Sequence, residues 1–126
     1  MDVPDDLRYS DDHEWLRPDG EQGLVGITRY AADELGDVVF VELPVVGRTL
    51  SRGETFGVIE SVKTASDLYT PIGGEIVEVN PALTGAPELV NSDPHGEGWM
   101  IRLRPDDPGA ADALLDADAY RALIGA

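Results

Sequence analysis

This sequence predicts a mainly β fold, a compact sandwich or barrel. Three observations carry the prediction: short runs rich in β-branched and aromatic residues, Gly and Pro punctuation between them, and one run with clean period-2 alternation. The alternating run is WMIRLR, where Trp99, Ile101 and Leu103 interleave with Met100, Arg102 and Arg104, the pattern of a strand with one buried face. The segments GDVVFVELP, TFGVIES and GEIVEVN supply further core strands, ending at Pro44, near Lys63 and before Pro81. Gly73 and Gly74 read as a turn, because nothing around them resembles a phosphate-binding loop ahead of a helix.

Helices are subordinate. Residues 28–36 form a short internal helix, with Thr28 as its N-cap and Gly36 as its stop. The character changes at Pro105. Asp107 before Pro108 has the form of a cap with Pro at the first helical position, and Leu114, Leu115, Leu123 and Ile124 offer an apolar face, so a C-terminal helical tail over residues 107–125 is expected to pack on the core of residues 7–104. The 126 residues and 13.5 kDa are the size of a single domain, too short for a carrier plus a catalytic domain.

Composition excludes several functions. A formal net charge of -16, from 25 acidic and 9 basic residues, repels phosphate backbones and anionic membranes, so neither nucleic acid nor membrane is expected as a partner. With no cysteine there is no disulfide, no thiolate nucleophile and no Cys-based metal site, and sulfur redox chemistry would have to sit on an attached group. His13 and His95 are the only histidines, too few for a zinc site without scattered carboxylates, and no metal is expected. Acid pairs such as Asp11 with Asp12 follow from the acidity itself, and none is singled out as a general acid, so the chain is not expected to be an enzyme. Trp15 and Trp99 read as packing groups. The start, MDVPDDLRYS, lacks the features of a signal or transit segment, and a cytoplasmic protein is expected.

One residue stands apart. Eight of the nine basic residues are arginine, and Lys63 is the only lysine. Where a positive charge suffices, the chain uses guanidinium, which is a poor nucleophile and does not readily form an amide. Composition alone could make the lysine an accident of arginine usage. Its context argues otherwise: the run Thr55 to Val62 precedes it and Ser66 to Thr70 follows, which puts Lys63 at the exposed tip of a β-hairpin. There a modifying enzyme reaches the amine and a tethered group swings between separate active sites.

Four stretches carry a resemblance over nearly the whole chain: His13, Glu14 and Trp15; GITRYAADELGDVVFVELP; GVIESVKTASDLYTPIGGEIVEVN; and NSDPHGEGWMIRLRP. Together they closely resemble the H proteins of the glycine cleavage system. The segment Glu60 to Asp67 looks like that family's lipoylation site and puts the modified lysine at Lys63. The resemblance implies a lipoyl-domain-like barrel-sandwich hybrid of two antiparallel sheets, with lipoate covalently attached to Lys63. It also implies a shuttle: the lipoyl group accepts an aminomethyl group from a pyridoxal-phosphate glycine decarboxylase and delivers it to a tetrahydrofolate-dependent aminomethyltransferase. Dihydrolipoyl dehydrogenase then reoxidises it, and a lipoate-attaching enzyme installs it in the first place. The source is expected to be bacterial.

Attachment turns a cation into a neutral amide, taking the formal charge from -16 to -17. The absence of cysteine suits such a cycle, because protein thiols would exchange with the arm. A loaded arm loses its one-carbon unit to water, so a sheltering cleft is expected, and the resemblance points to the region of His13, Glu14 and Trp15. Glu14, with Asp67, is the candidate acceptor for the bound ammonium. Two positions depart from the family pattern: Asp12 where relatives carry a small serine, and His95 where a tyrosine is common. A biotin carrier would have methionines beside the lysine rather than Val62 and Thr64, and the lipoyl domain of a 2-oxoacid dehydrogenase would have Asp before it. An unmodified interaction domain of the same fold is the alternative from another class.

Overall fold

The computed structural model describes residues 2–126. Among the described residues nine strands form two antiparallel sheets. The larger has the order β1-β2-β3-β9-β8-β5, with β1 at Arg8–Tyr9, β2 at Glu14–Asp19, β3 at Gln22–Ile27, β5 at Thr49–Leu50, β8 at Gly74–Val79 and β9 at Ile101–Pro105. The smaller has the order β4-β6-β7, with β4 at Val38–Glu42, β6 at Thr55–Ser61 and β7 at Ala65–Tyr69. Their inner faces share one core. Leu16, Val25, Ile76, Ile101 and Leu103 come from the large sheet, and Val38, Val41, Phe56, Ile59 and Leu68 from the small one. A β-sandwich of this kind is held together by burial of alternating apolar side chains from both sheets.

The alternation along β2 matters most for function. Leu16 enters the core between the sheets, whereas Trp15 points the opposite way into a second cluster with Val3, Leu7, Tyr9, Ala117 and Tyr120. Because strand side chains alternate with period 2, Glu14 projects on the same side as Leu16, toward the inter-sheet space. Its partner in register is Ile27, itself buried in the core.

Several expectations hold in detail. The internal helix α1 runs Arg29–Leu35, with Thr28 Oγ1 accepting from the Ala31 N–H and Gly36 closing the end at φ +79°. In β9, Ile101 and Leu103 are buried while Arg104 is exposed. The ladder starts only at Ile101, however. Met100 is fully buried, its N–H donating to the Val25 carbonyl, and Trp99 is half-buried against the second cluster. Gly73 and Gly74 serve close approach rather than a left-handed turn: Gly74 opens β8, and a β-carbon there would lie 2.4 Å from the Arg104 carbonyl oxygen.

The tail differs from the expected continuous helix. Asp107 caps only a bend, its Oδ1 accepting from the Gly109 N–H at 2.9 Å, and a single 3₁₀ turn follows at Ala110–Ala113. Helicity then stops because Leu115 pairs with β1, exchanging two 2.8 Å backbone hydrogen bonds with Tyr9 that require extended chain. The helix proper, α4, is Ala117–Ile124, capped by Asp116. It docks through Ala117 and Tyr120, whereas Leu123, expected to face the core, is 50 % exposed. Two one-turn helices not foreseen from sequence, α2 at Ala82–Gly85 and α3 at Leu89–Ser92, bury Leu83 and Val90 between β8 and β9 in chain order.

Candidate functional site

The β6–β7 hairpin places Lys63 at its tip, as expected, and leaves it exposed. Ser61 ties the turn together. Its N–H donates to the Thr64 carbonyl at 2.8 Å, and its hydroxyl oxygen accepts from the N–H groups of Lys63 (3.3 Å) and Thr64 (3.2 Å). The turn is anchored to the body of the protein by the Val62 N–H, which donates to the Asp37 carbonyl at 3.0 Å. The aliphatic stem of Lys63 lies over Gly36, with Cε 3.6 Å from where a β-carbon there would be. The backbone of the tip is thus fixed while the amine remains free.

Beside the hairpin the sandwich opens into a cleft of about 340 Å³. Glu14 and Asp67 both line it, with Asp12 and His13 from the β1–β2 turn, Tyr30 and Glu34 from α1, and Ile59 and Leu68 at its base. The two acids are in different environments. Asp67 is exposed on β7, whereas Glu14 is 2 % exposed. Desolvation pushes the Glu14 carboxyl up to about 8, and Asp12 and Asp11 add to the rise; the hydrogen bonds from Ser10 and the Tyr69 backbone oppose it without cancelling it. Ser10 Oγ donates to Glu14 Oε1 at 2.8 Å. Among the described residues no lysine or arginine lines the cleft, so the buried acid faces a space that suits a small cation. A larger hollow of about 390 Å³, between the β2–β3 turn and residues 104–108, is lined by Leu16, Ile72 and prolines, and its charged groups, Glu21, Arg104 and Asp107, are all exposed.

The wall of the cleft is held from behind through Tyr120, a residue the sequence does not single out. His13 has φ +69°, a left-handed conformation that a non-glycine residue adopts only when its surroundings enforce it. Its Nδ1 lies 2.8 Å from the Tyr120 hydroxyl, which is also 2.8 Å from Thr28 Oγ1. The α4 helix therefore grips both the turn carrying Glu14 and the first turn of α1. Tyr120 is fully buried and stacked on Tyr9, with ring centroids 4.6 Å apart. His95 lies outside the cleft. Its Nε2 accepts from the Arg29 N–H, which leaves the Nδ1 proton facing Asp2, and burial lowers its pKa. Among the described residues there is no group of three or more His, Asp or Glu placed to hold a metal ion. No described helix is long and apolar enough to cross a membrane.

Two antiparallel sheets around a shared core, with one exposed amine on a hairpin tip beside a cleft, define a carrier of the lipoyl-domain-like barrel-sandwich class. A family profile described as glycine cleavage H-protein matches residues 7–126. The chain is 62 % identical over 124 residues to a glycine cleavage system H protein from Magnetococcus marinus, covering 98 % of this chain and 89 % of that one. It is 60 % identical to one from Thermus thermophilus, covering 98 % and 97 %. A crystal structure of a glycine cleavage system H protein from Mycobacterium marinum superimposes with a TM-score of 0.90 at 44 % identity, over 98 % of this chain and all of that one. The chain belongs to the glycine cleavage H-protein family. It is the lipoyl-carrier component that shuttles intermediates between the parts of the glycine cleavage system, and it is not a catalyst by itself.

Proposed function

We propose that Lys63 carries lipoate as an amide on its ε-amine, that the whole chain acts as one lipoyl-carrier domain, and that the cleft at Glu14 shelters the loaded arm. The single observation behind the last step is the desolvated Glu14 carboxyl, buried in a cleft that no described lysine or arginine lines. When attached, the lipoyl group supplies a disulfide that takes up the aminomethyl unit and later yields it. The residues fit such a group. Lys63 and Asp67 are four residues apart, which extended chain spans in at most about 14 Å. A lysyl side chain lengthened by an eight-carbon acyl tail covers that distance.

Glu14 receives the ammonium end. An approaching cation offsets the desolvation that raises the carboxyl, so Glu14 gives up its proton to solvent and becomes the partner of the new charge. Asp67 adds a second negative charge at the cleft rim. Ile59 and Leu68 keep the floor apolar, which limits the water available for premature loss of the one-carbon unit. The proposed partners are a pyridoxal-phosphate glycine decarboxylase, an aminomethyltransferase, dihydrolipoyl dehydrogenase and a lipoate-attaching enzyme, met in the cytoplasm. A charge of -16 steers the protein toward basic patches on them.

Intact-mass spectrometry with peptide mapping, after expression in lipoate-supplied cells, tests the assignment. One lipoyl adduct is expected on the Lys63 peptide and none in Lys63→Arg. An adduct that persists in Lys63→Arg, or a wild-type protein that acquires none, overturns it. For the cleft, the loaded protein is expected to release its one-carbon unit faster in Glu14→Gln, and an unchanged rate in the folded variant removes the sheltering role.

A further inference from the structure

The turn between α1 and β4 supports the carrier hairpin, and it is poorly suited to hold itself. Gly36 sits at φ +79° and ψ -157°, a region essentially closed to other residues. Val38 enters β4 at a register irregularity. Between them Asp37 presents the carbonyl that accepts the Val62 N–H at 3.0 Å, the hydrogen bond that ties the tip beside Lys63 to the body of the protein. What fixes Asp37 comes from another part of the chain. The Asn91 side chain, on α3, donates from Nδ2 to the Gly36 carbonyl at 2.8 Å and accepts at Oδ1 from the Val38 N–H at 2.9 Å.

One amide therefore bridges the backbone on both sides of Asp37. Only one orientation of that amide satisfies a carbonyl and an N–H together, so the network defines it. Asn91 is itself held, because its own carbonyl accepts from an Arg29 guanidinium N–H on α1.

We propose that Asn91 is a positioning residue for the carrier lysine: by splinting Gly36 and Val38 it fixes the Asp37 carbonyl, and through Val62 it sets the posture in which Lys63 meets the lipoate-attaching enzyme. The inference rests on the reading of Lys63 as the lipoylated residue. A tip that samples the competent posture only part of the time weakens apparent affinity by that fraction and leaves the chemistry of the bound complex intact. The signature is a raised KM for the carrier with kcat unchanged.

Wild type, Asn91→Ala and Asn91→Asp are compared in two measurements on the full chain. In amide hydrogen exchange, Val62 should exchange about tenfold faster in Asn91→Ala, while Ile59 and Val41 in the ladder of the same sheet keep their protection. In lipoate attachment by the lipoate-attaching enzyme, KM for the carrier should rise several-fold with kcat intact. Asn91→Asp keeps the acceptor for Val38 but turns a second acceptor toward Gly36. Protonating the introduced carboxyl at low pH restores a donor, so Val62 protection, corrected for the intrinsic pH dependence of exchange, should recover there.

Unchanged Val62 exchange and KM in the variants overturn the proposal. So does a uniform rise in exchange that includes Ile59 and Val41, which would mark general destabilisation. If Asn91→Ala does not fold, the pH recovery of Asn91→Asp decides. A wild-type protein that gains no adduct on Lys63 refutes the underlying assignment instead, and the exchange measurement still judges the splint.

Discussion

Lys63 stands on the hairpin that borders the cleft of Glu14, and the two residues are built in opposite ways. The lysine stands on a hairpin whose turn is closed by its own neighbours, Ser61 and Thr64, and its surroundings are solvent. Glu14 lies at a strand end closed by distant parts of the chain: Ile27 in register, the Tyr69 backbone, and, through His13, the Tyr120 hydroxyl of α4. A tether has to be reachable, and local sequence can make it so. A cation receptor has to be dry, and only the assembled fold provides that. The difference means that substitutions at the tip should leave the fold intact and substitutions behind Glu14 should not.

The largest expected effect follows from the raised Glu14 carboxyl. Its pKa is about 8 in the folded protein against an ordinary 4.5, so between those values the folded state holds a proton the unfolded chain has released. Stability from this group is fully present below pH 4.5 and is lost as pH rises toward 8, by roughly 5 kcal/mol across the window. In Glu14→Gln that slope should vanish, making the variant the more stable protein at pH 8. Urea denaturation midpoints from pH 5 to 8 measure it, and parallel curves for the two proteins would contradict the buried-acid account.

Tolerance on the hairpin side should end at its stem. A β-carbon on Gly57 would lie 2.2 Å from the Glu42 carbonyl oxygen, a backbone atom that cannot move without breaking the β4–β6 pairing. Gly57→Ala is expected to cost about 3 kcal/mol, whereas Lys63→Arg at the tip should change stability by less than about 0.5 kcal/mol. Paired denaturation curves decide between an independent tip and one coupled to the core.

Tyr120→Phe should cost about 1 to 2 kcal/mol, because it leaves the buried Thr28 hydroxyl and His13 Nδ1 without their shared partner while keeping the stack on Tyr9. The strained His13 backbone is the feature it releases. Faster exchange of the Glu14 amide in this variant, with the β8–β9 ladder unchanged, would place the effect at the cleft wall.

How much of this the sequence disclosed follows the same division. Lys63, its hairpin and the helix capped by Thr28 were readable because each depends on contiguous residues: a lone amine between two β-rich runs, and a cap three residues ahead of the amide it binds. Glu14 was named through family resemblance, and the bare pattern did not reveal its burial. One signal was available, the period-2 relation to Leu16, which puts Glu14 on the core-facing side of its strand. The C-terminal helix is legible but its late start is not, because the extended pairing of Leu115 with Tyr9 is a contact across most of the chain, and it overrides a local Asp-Pro helix start. The roles of Asn91 and Tyr120 likewise depend on atoms far apart in sequence.

The smallest expected effect tests whether the two acids of the cleft share a role without sharing a cost. Asp67 lies on β7 opposite Val58, exposed to solvent, so its carboxylate has not been stripped of water in the way that of Glu14 has. Asp67→Asn should therefore shift stability by less than about 0.5 kcal/mol at any pH from 5 to 8. If Asp67 contributes charge to the loaded cleft, the same variant should still hasten loss of the one-carbon unit, by less than Glu14→Gln does, because a solvated acid attracts an ammonium less strongly than a desolvated one. A large stability change in Asp67→Asn would mean that the cleft rim is part of the core. Equal release rates for the two variants would mean that desolvation of Glu14 does nothing for the arm, and that its burial serves the packing of β2 alone.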